Sequence, residues 1–239
     1  FSAVIFNNEK VSLEQLLVER VTKSFHFLEK FSANKVIYGV NTGFGPMAQY
    51  RIQPQEQLQL QYNLIRSHAS GTGNPLSPIH VKAAILARLN TLALGKSGVN
   101  ISVIELMKEL INRDITPLIF AHGGVGASGD LVQLAHLALI LIGEGEVFYK
   151  GERRTTQEVF ELEGLQPIEV KIREGLGLMI GTSVMTGIGI VNVLLADKLV
   201  DLSVQASCMI NELVQAYDDH LSEELNNAKL HYGQQIIAK

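Results

Sequence analysis

What this sequence lacks narrows it first. It holds a single cysteine, Cys208, which excludes an internal disulfide and fits a reducing compartment. A lone thiol in a helical stretch reads as a small buried hydrophobe. No basic run is present: 20 Lys plus Arg stand against 24 Asp plus Glu, a formal net charge of −4. That leaves no electrostatic footprint for nucleic acid or for an anionic membrane surface. The N-terminus shows no charged-then-apolar signal pattern. The longest apolar runs, around residues 137–142 and 188–195, are shorter than the ~20 residues of a membrane span. No His/Cys/carboxylate spacing suggests a metal, and no repeat, low-complexity segment or Pro- or Ser-rich linker interrupts the chain. The expectation is a cytoplasmic protein with no metal, nucleic-acid or membrane partner. Beginning at Phe1 and ending within the pattern "GQQIIAK", it reads as part of a longer chain.

What is present is a helix-former. Of 239 residues 46% are hydrophobic, enough to bury a substantial core in one large or two small domains. Ser12 followed by Gln15 has capping-box spacing, and Leu13, Leu17, Val21, Phe25 and Leu28 then recur at helical intervals. A second helix is expected from Gln55 to about Arg66. A third has Ser77 as N-cap, Pro78 at its first position and Gly95 as its stop. A fourth covers roughly Ser102 to Asn112. "DLVQLAHLALILIG" is apolar nearly all round, as a central buried helix would be. "GEVFYKGERR" alternates about Lys150-Gly151 and predicts a hairpin. From Ser183 to about Asn226 helical periodicity is almost continuous, long enough for a bundle spine.

Chemistry concentrates in "GGVGASGD", residues 123–130, where Gly124, Gly126 and Gly129 form a G-x-G-x-x-G string. A dinucleotide turn needs a strand before it, a helix after it and an acid ~20 residues on. "TPLIF", the following apolar helix and Glu146 or Glu152 imitate that context. The wider pattern does not, because long helical periodicity follows where β-α alternation should. The same string permits another reaction. Glycine has no side chain, so the Gly129 nitrogen could reach the Ala127 carbonyl in a tight bend. Loss of water there, with dehydration of Ser128, would make a five-membered electrophilic ring from the backbone alone. A helix following the ring would place its positive end beside it. A glycine-rich helix entrance is the plain alternative.

The strings "YGVNTGFGPMAQYRI", "QYNLIRSHASGTGNPLS", "AILARLNTLALGKSGV", "ITPLIFAHGGVGASGDLVQLAHLALILIGEGEVFYKGE" and "EGLGLMIGTSVMTG" follow in order. In sequence and order they resemble the histidine and aromatic amino acid ammonia-lyases, in particular bacterial tyrosine ammonia-lyases similar to histidine ammonia-lyases. The resemblance runs from about Val36 to the C-terminus and corresponds to the family's N-terminal half. It implies a mostly α fold: an N-terminal helical domain with a small β-hairpin, 1–182, leading at 183–239 into the long helices of a central bundle, as in the ammonia-lyase/fumarase class. It implies a methylidene-imidazolone ring (MIO) self-formed from Ala127, Ser128 and Gly129. Tyr38 matches the family's proton-abstracting tyrosine; the side chain's ordinary pKa of ~10 means such a base needs positive potential nearby. Ser67 and His68 match its substrate-selectivity pair, and an imidazole there can bond a substrate imidazole or phenol. Gly45 and Gly71 would admit close backbone approach. Asp130 is expected to cap the helix that follows it and orient the ring. His122 and His136 are read as structural.

One position departs from the pattern. Where the family reads A-L-I-N-G-T, this chain has Gly177, Leu178, Met179, Ile180, Gly181 and Thr182. Ile180 replaces an asparagine that bonds ring or substrate, and an unpaired polar partner in a closed site costs ~1–3 kcal/mol. The resemblance also implies a homotetramer whose sites combine residues from several subunits and from the other half of the chain. The leading expectation is therefore elimination of ammonia from an aromatic amino acid, tyrosine or histidine, to an α,β-unsaturated acid. A non-catalytic member keeping only fold and assembly surface is the alternative, and an NAD-dependent oxidoreductase a more distant one.

Overall fold

In the computed structural model, which describes residues 1–33 and 35–239, helices dominate. They are α1 (Ser2–Phe6), α2 (Gln15–Ser32), α3 (Pro54–His68), α4 (Pro78–Ala93), α5 (Ile101–Asn112), α6 (Leu131–Leu141), α7 (Thr156–Glu163), α8 (Glu174–Met179), α9 (Ser183–Leu213), α10 (Glu223–Asn227) and α11 (Tyr232–Ala238). Among the described residues five short strands accompany them: β1 (Thr72–Pro75), β2 (Thr116–Pro117), β3 (Phe120–His122), β4 (Glu146–Tyr149) and β5 (Glu152–Thr155). The chain divides into two compact units, Phe1–Val191 and Asn192–Lys239, so the division falls within α9.

The first unit is built as its periodicities predict. Val21, Phe25 and Leu28 form the buried stripe of α2. On α6, eight of eleven residues are buried, so it is a central helix, with α3, α5 and α8 as neighbours. The hairpin turns on Lys150 (φ 51°) and Gly151 (φ 81°). Two successive left-handed residues give the turn whose twist matches the flanking strands. Thr155 and Glu158 cap α7 reciprocally, and Gly164 (φ 65°) ends it.

Three expectations about caps and burial fail. Helix α2 starts at Gln15 with Glu14 as its N-cap, and no side chain bonds its first turn. Ser12 lies outside the helix because capping-box spacing does not say where a helix begins. The Ser77 hydroxyl also leaves its helix uncapped and meets His80 Nδ1 at 2.8 Å instead. Cys208 is exposed on α9 rather than buried. By length and composition alone α9 would also suit a membrane span, since its apolar residues are separated by few charges even though no single run is long.

All strand pairing among the described residues is antiparallel: β1 with β3, and β2-β4-β5 in order. A dinucleotide-binding unit needs parallel strands joined through the glycine turn and its helix. "TPLIF" instead spans β2 and the start of β3, which sit in different sheets. The oxidoreductase reading ends there.

The second unit holds the rest of α9, a 3₁₀ turn at Asp218–Leu221, α10 and α11. Asn226 is its buried polar centre, donating to the His220 carbonyl at 3.2 Å and accepting from Gln234 at 2.9 Å. Along α9 the side chains of Leu195, Leu199, Leu202, Met209, Ile210 and Leu213 are exposed.

Candidate active site

The ring triplet sits at a junction of segments that are far apart in sequence. Ala127 and Ser128 are exposed in the loop before α6. Gly129 has φ 95°, left-handed backbone that favours glycine. It pairs in a parallel bridge with Gly181, and the Asp130 amide donates to the Gly181 carbonyl at 2.8 Å. A Cβ at Gly129 would collide with that carbonyl oxygen. Glycine is thus required here by packing as well as by any cyclisation. Among the described residues no hydrogen bond engages the Gly129 amide nitrogen, the atom that would close the ring, so the triplet fits ring formation.

Asp130 does not cap α6, whose first turn receives no side-chain acceptor. Its carboxylate Oδ2 instead accepts from Val184 and Met185 at 2.9 and 3.0 Å, capping α9 from 54 residues away. The correction has a physical consequence. The unmet amides at the start of α6 keep their positive potential beside the triplet.

Tyr38 lies in the turn between α2 and α3 and is half exposed, with its ring edge-on to Phe44. The Gly45 amide donates to its hydroxyl oxygen at 3.2 Å, from a residue held at φ 53°. No neighbour crowds a Cβ at Gly45, so its conformation rather than close packing calls for glycine. The turn is anchored by Gln61 on α3, which is 1% exposed. Gln61 Nε2 donates to the Gly39 carbonyl at 3.1 Å, and its Oε1 accepts from the Leu176 amide of α8 at 3.4 Å.

Ser67 and His68 close α3. The Ser67 hydroxyl donates to the Leu64 carbonyl at 3.1 Å, and His68 Nδ1 lies 2.9 Å from the same oxygen. A carbonyl only accepts, so Nδ1 carries the proton and Nε2 is the free acceptor of neutral His68. The chain then runs directly into β1, which pairs with β3 at the entrance of the triplet loop. At Gly71 a Cβ would lie 2.9 Å from His136 Nε2 and 3.1 Å from Phe120 Cβ, so close approach is real there. The Gly71 amide donates to His136 Nε2 at 3.0 Å. Burial holds the His136 pKa below its ordinary 6.5, consistent with a structural acceptor.

Ile180 ends α8 in extended backbone and is 43% exposed. It lines a cavity of about 370 Å³ with Arg88, Thr182 and Ser183 among its neighbours. Two residues here had no place in the sequence reading. Arg88 of α4 is 3% exposed, donates to the Gly177 carbonyl and abuts Gly181, where a Cβ would strike its guanidinium. Burial draws its pKa down to about 10 against the opposing pull of Asp130. Gln61 is the other. Both interrupt apolar patterns, Gln61 at helical spacing before Leu64, Ile65 and His68, and Arg88 inside "AAILARLNTLA". A lone polar residue on a core face was the available signal.

Backbone ties thus join the Tyr38 turn to α8 through Gln61, and α8 to the triplet through Gly181. The aromatic amino acid lyase family model matches residues 1–239, every residue of the chain. The chain belongs to that family. The histidine ammonia-lyase of Myxococcus xanthus is 39% identical over 97% of this chain and 46% of its own length. The tyrosine 2,3-aminomutase of a Myxococcus species is 40% identical over 99% of this chain and 45% of its own. Among solved structures, the tyrosine aminomutase of Streptomyces globisporus superposes with a TM-score of 0.92 at 34% identity, covering 99% of this chain and 45% of that one. The aromatic lyase chain therefore spans about half the length of the relatives it matches.

Proposed function

We propose that this chain is the ring-forming half of an enzyme that eliminates ammonia from an aromatic amino acid, tyrosine or histidine, giving an α,β-unsaturated acid. The reading rests on one observation above all: Gly129, the last residue of the triplet, is held against Gly181, with α8 tying that junction to the turn that carries Tyr38. A ring formed from the triplet would supply an electrophile that no ordinary side chain offers. Tyr38 takes the β-proton, its hydroxyl oriented by the Gly45 amide. His68 presents Nε2 to the polar tip of the substrate side chain, a phenol hydroxyl or an imidazole N–H. The uncapped start of α6 stabilises negative charge beside the triplet. The active assembly is a homotetramer, and the exposed apolar face of α9 is its contact surface. A cytoplasmic location fits the one exposed thiol.

A second reading, 2,3-amino migration, is favoured by the equal identity to tyrosine 2,3-aminomutases. Product analysis separates the two, since migration returns a β-amino acid. The primary test is an intact mass. The wild-type chain should be lighter than its composition by two waters, and Ser128→Ala should lack both that loss and the near-ultraviolet absorbance that accompanies it. Equal masses relative to composition would remove the ring, leaving a non-catalytic member with Ile180 as its mark.

A further inference from the structure

Helix α8 carries no residue assigned to chemistry, yet it touches both halves of the candidate site. From one side Gln61 holds it, bonding the Gly39 carbonyl with Nε2 and the Leu176 amide with Oε1. The packing is close: a Cβ at Gly175 would lie 2.7 Å from the Gln61 carbonyl oxygen. From the other side Arg88 donates to the Gly177 carbonyl and lies against Gly181. Gly181 in turn pairs with Gly129 and accepts from the Asp130 amide. An unbroken series of contacts therefore runs from Gly39, beside Tyr38, to Gly129.

Both side chains sit where polar groups are costly. Gln61 is 1% and Arg88 3% exposed, and Arg88 Nε finds no partner. Burying a guanidinium with an orphaned donor is unfavourable, so an apolar residue of similar volume would serve mere core filling better. What an apolar residue cannot do is bond the Gly177 carbonyl and sit beside Asp130 at once. A planar, fork-shaped cation can.

We propose that Gln61 and Arg88 are positioning residues that clamp α8 from opposite sides and so set the separation between Tyr38 and the Ala127-Ser128-Gly129 triplet. The roles of Tyr38 and the triplet come from the proposed function; the clamp itself is a property of the fold. Supporting shells of this kind hold reacting groups within the fraction of an ångström that catalysis needs.

Residue-resolved amide exchange on the chain tests it, because local opening is read without activity. Arg88→Met should speed exchange at Asp130, Val184 and Met185 by tenfold or more, leaving buried amides of α5 and the β4–β5 hairpin unchanged. Gln61→Met should do the same at Leu176 and in the Tyr38 turn but not at Asp130. Arg88→Lys, the variant that keeps the charge, should restore most of the protection, since an ammonium can still donate to the one acceptor, the Gly177 carbonyl. Acceleration spread evenly over the unit in any of these variants, or none at Asp130 in both Arg88 variants, overturns the clamp. Intact mass on the same samples separates the two ideas. A wild-type chain without the two-water loss defeats the ring, while the exchange pattern alone decides the clamp.

Discussion

Replacing Asp130 by alanine tests a contact that ties the triplet loop to a helix 54 residues further on. The carboxylate accepts from Val184 at 2.9 Å and Met185 at 3.0 Å, the second and third residues of α9. Removing a capping acceptor of this kind costs about 1–2 kcal/mol. Arg88 also loses the negative charge that offsets the cost of its burial, an attraction on the order of 1 kcal/mol for well-separated charges at an effective dielectric of ~20. The sum is about 2–3 kcal/mol, and at roughly 2–4 °C per kcal/mol for a chain of this size the melting temperature should fall by about 4–12 °C. Asp130→Asn keeps one accepting oxygen and should lose about half as much. A thermal melt by circular dichroism reads the first effect. A double-mutant cycle with Arg88→Met reads the second, as a coupling of ~1 kcal/mol. Were Asp130→Ala to melt with the wild type, the carboxylate would not cap α9; were the cycle strictly additive, it would not be the counter-charge of Arg88.

Ile180→Asn should leave stability within ~0.5 kcal/mol, as for other exposed positions, because Ile180 is 43% exposed at the end of α8. In a chain extended to the length of its relatives it should raise ammonia release by roughly ten- to a thousand-fold, a restored bond of ~1.4–4 kcal/mol in the transition state; a lower melting temperature with no gain in rate would place Ile180 in the core instead. His136 supplies a pH dependence. Its Nε2 accepts from Gly71 only when unprotonated, and burial keeps its pKa below 6.5. Between the folded value and 6.5 the unfolded chain binds a proton that the native chain does not, so this contribution is complete above 6.5 and lost as pH falls through the folded value. Relative to His136→Phe, the wild type should lose its advantage in melts below that pH, and a gap independent of pH would show that the imidazole is not the acceptor.

Local signals in the sequence located the elements well. The Lys150-Gly151 turn, the all-round apolar helix at 131–141 and the stripe of α2 were legible because each is determined by neighbours within a few residues. Caps were less so. Ser12, Ser77 and Asp130 all stand where a helix could use them, yet none caps the backbone of the helix that follows it with its side chain. Their acceptors were equally able to serve an imidazole or a distant helix, and only the tertiary fold chooses. The same limit hid Gln61 and Arg88. Each is defined by a contact across more than eighty residues, Gln61 to Leu176 and Arg88 to Gly177. The sequence thus named candidate residues, while the frame that spaces them was not legible in it.

That frame also explains why Ile180 is compatible with an intact fold. The chain at 180 is fixed by backbone groups: the Ile180 amide donates to the Leu176 carbonyl at 3.1 Å, and the adjoining Gly181 is held by Gly129, Asp130 and Arg88. None of these contacts involves the side chain at 180, which faces a cavity rather than the core. Selection on stability therefore has no grip on that side chain. A different side chain there leaves α8, the bridge to Gly129 and the cap on α9 as they were.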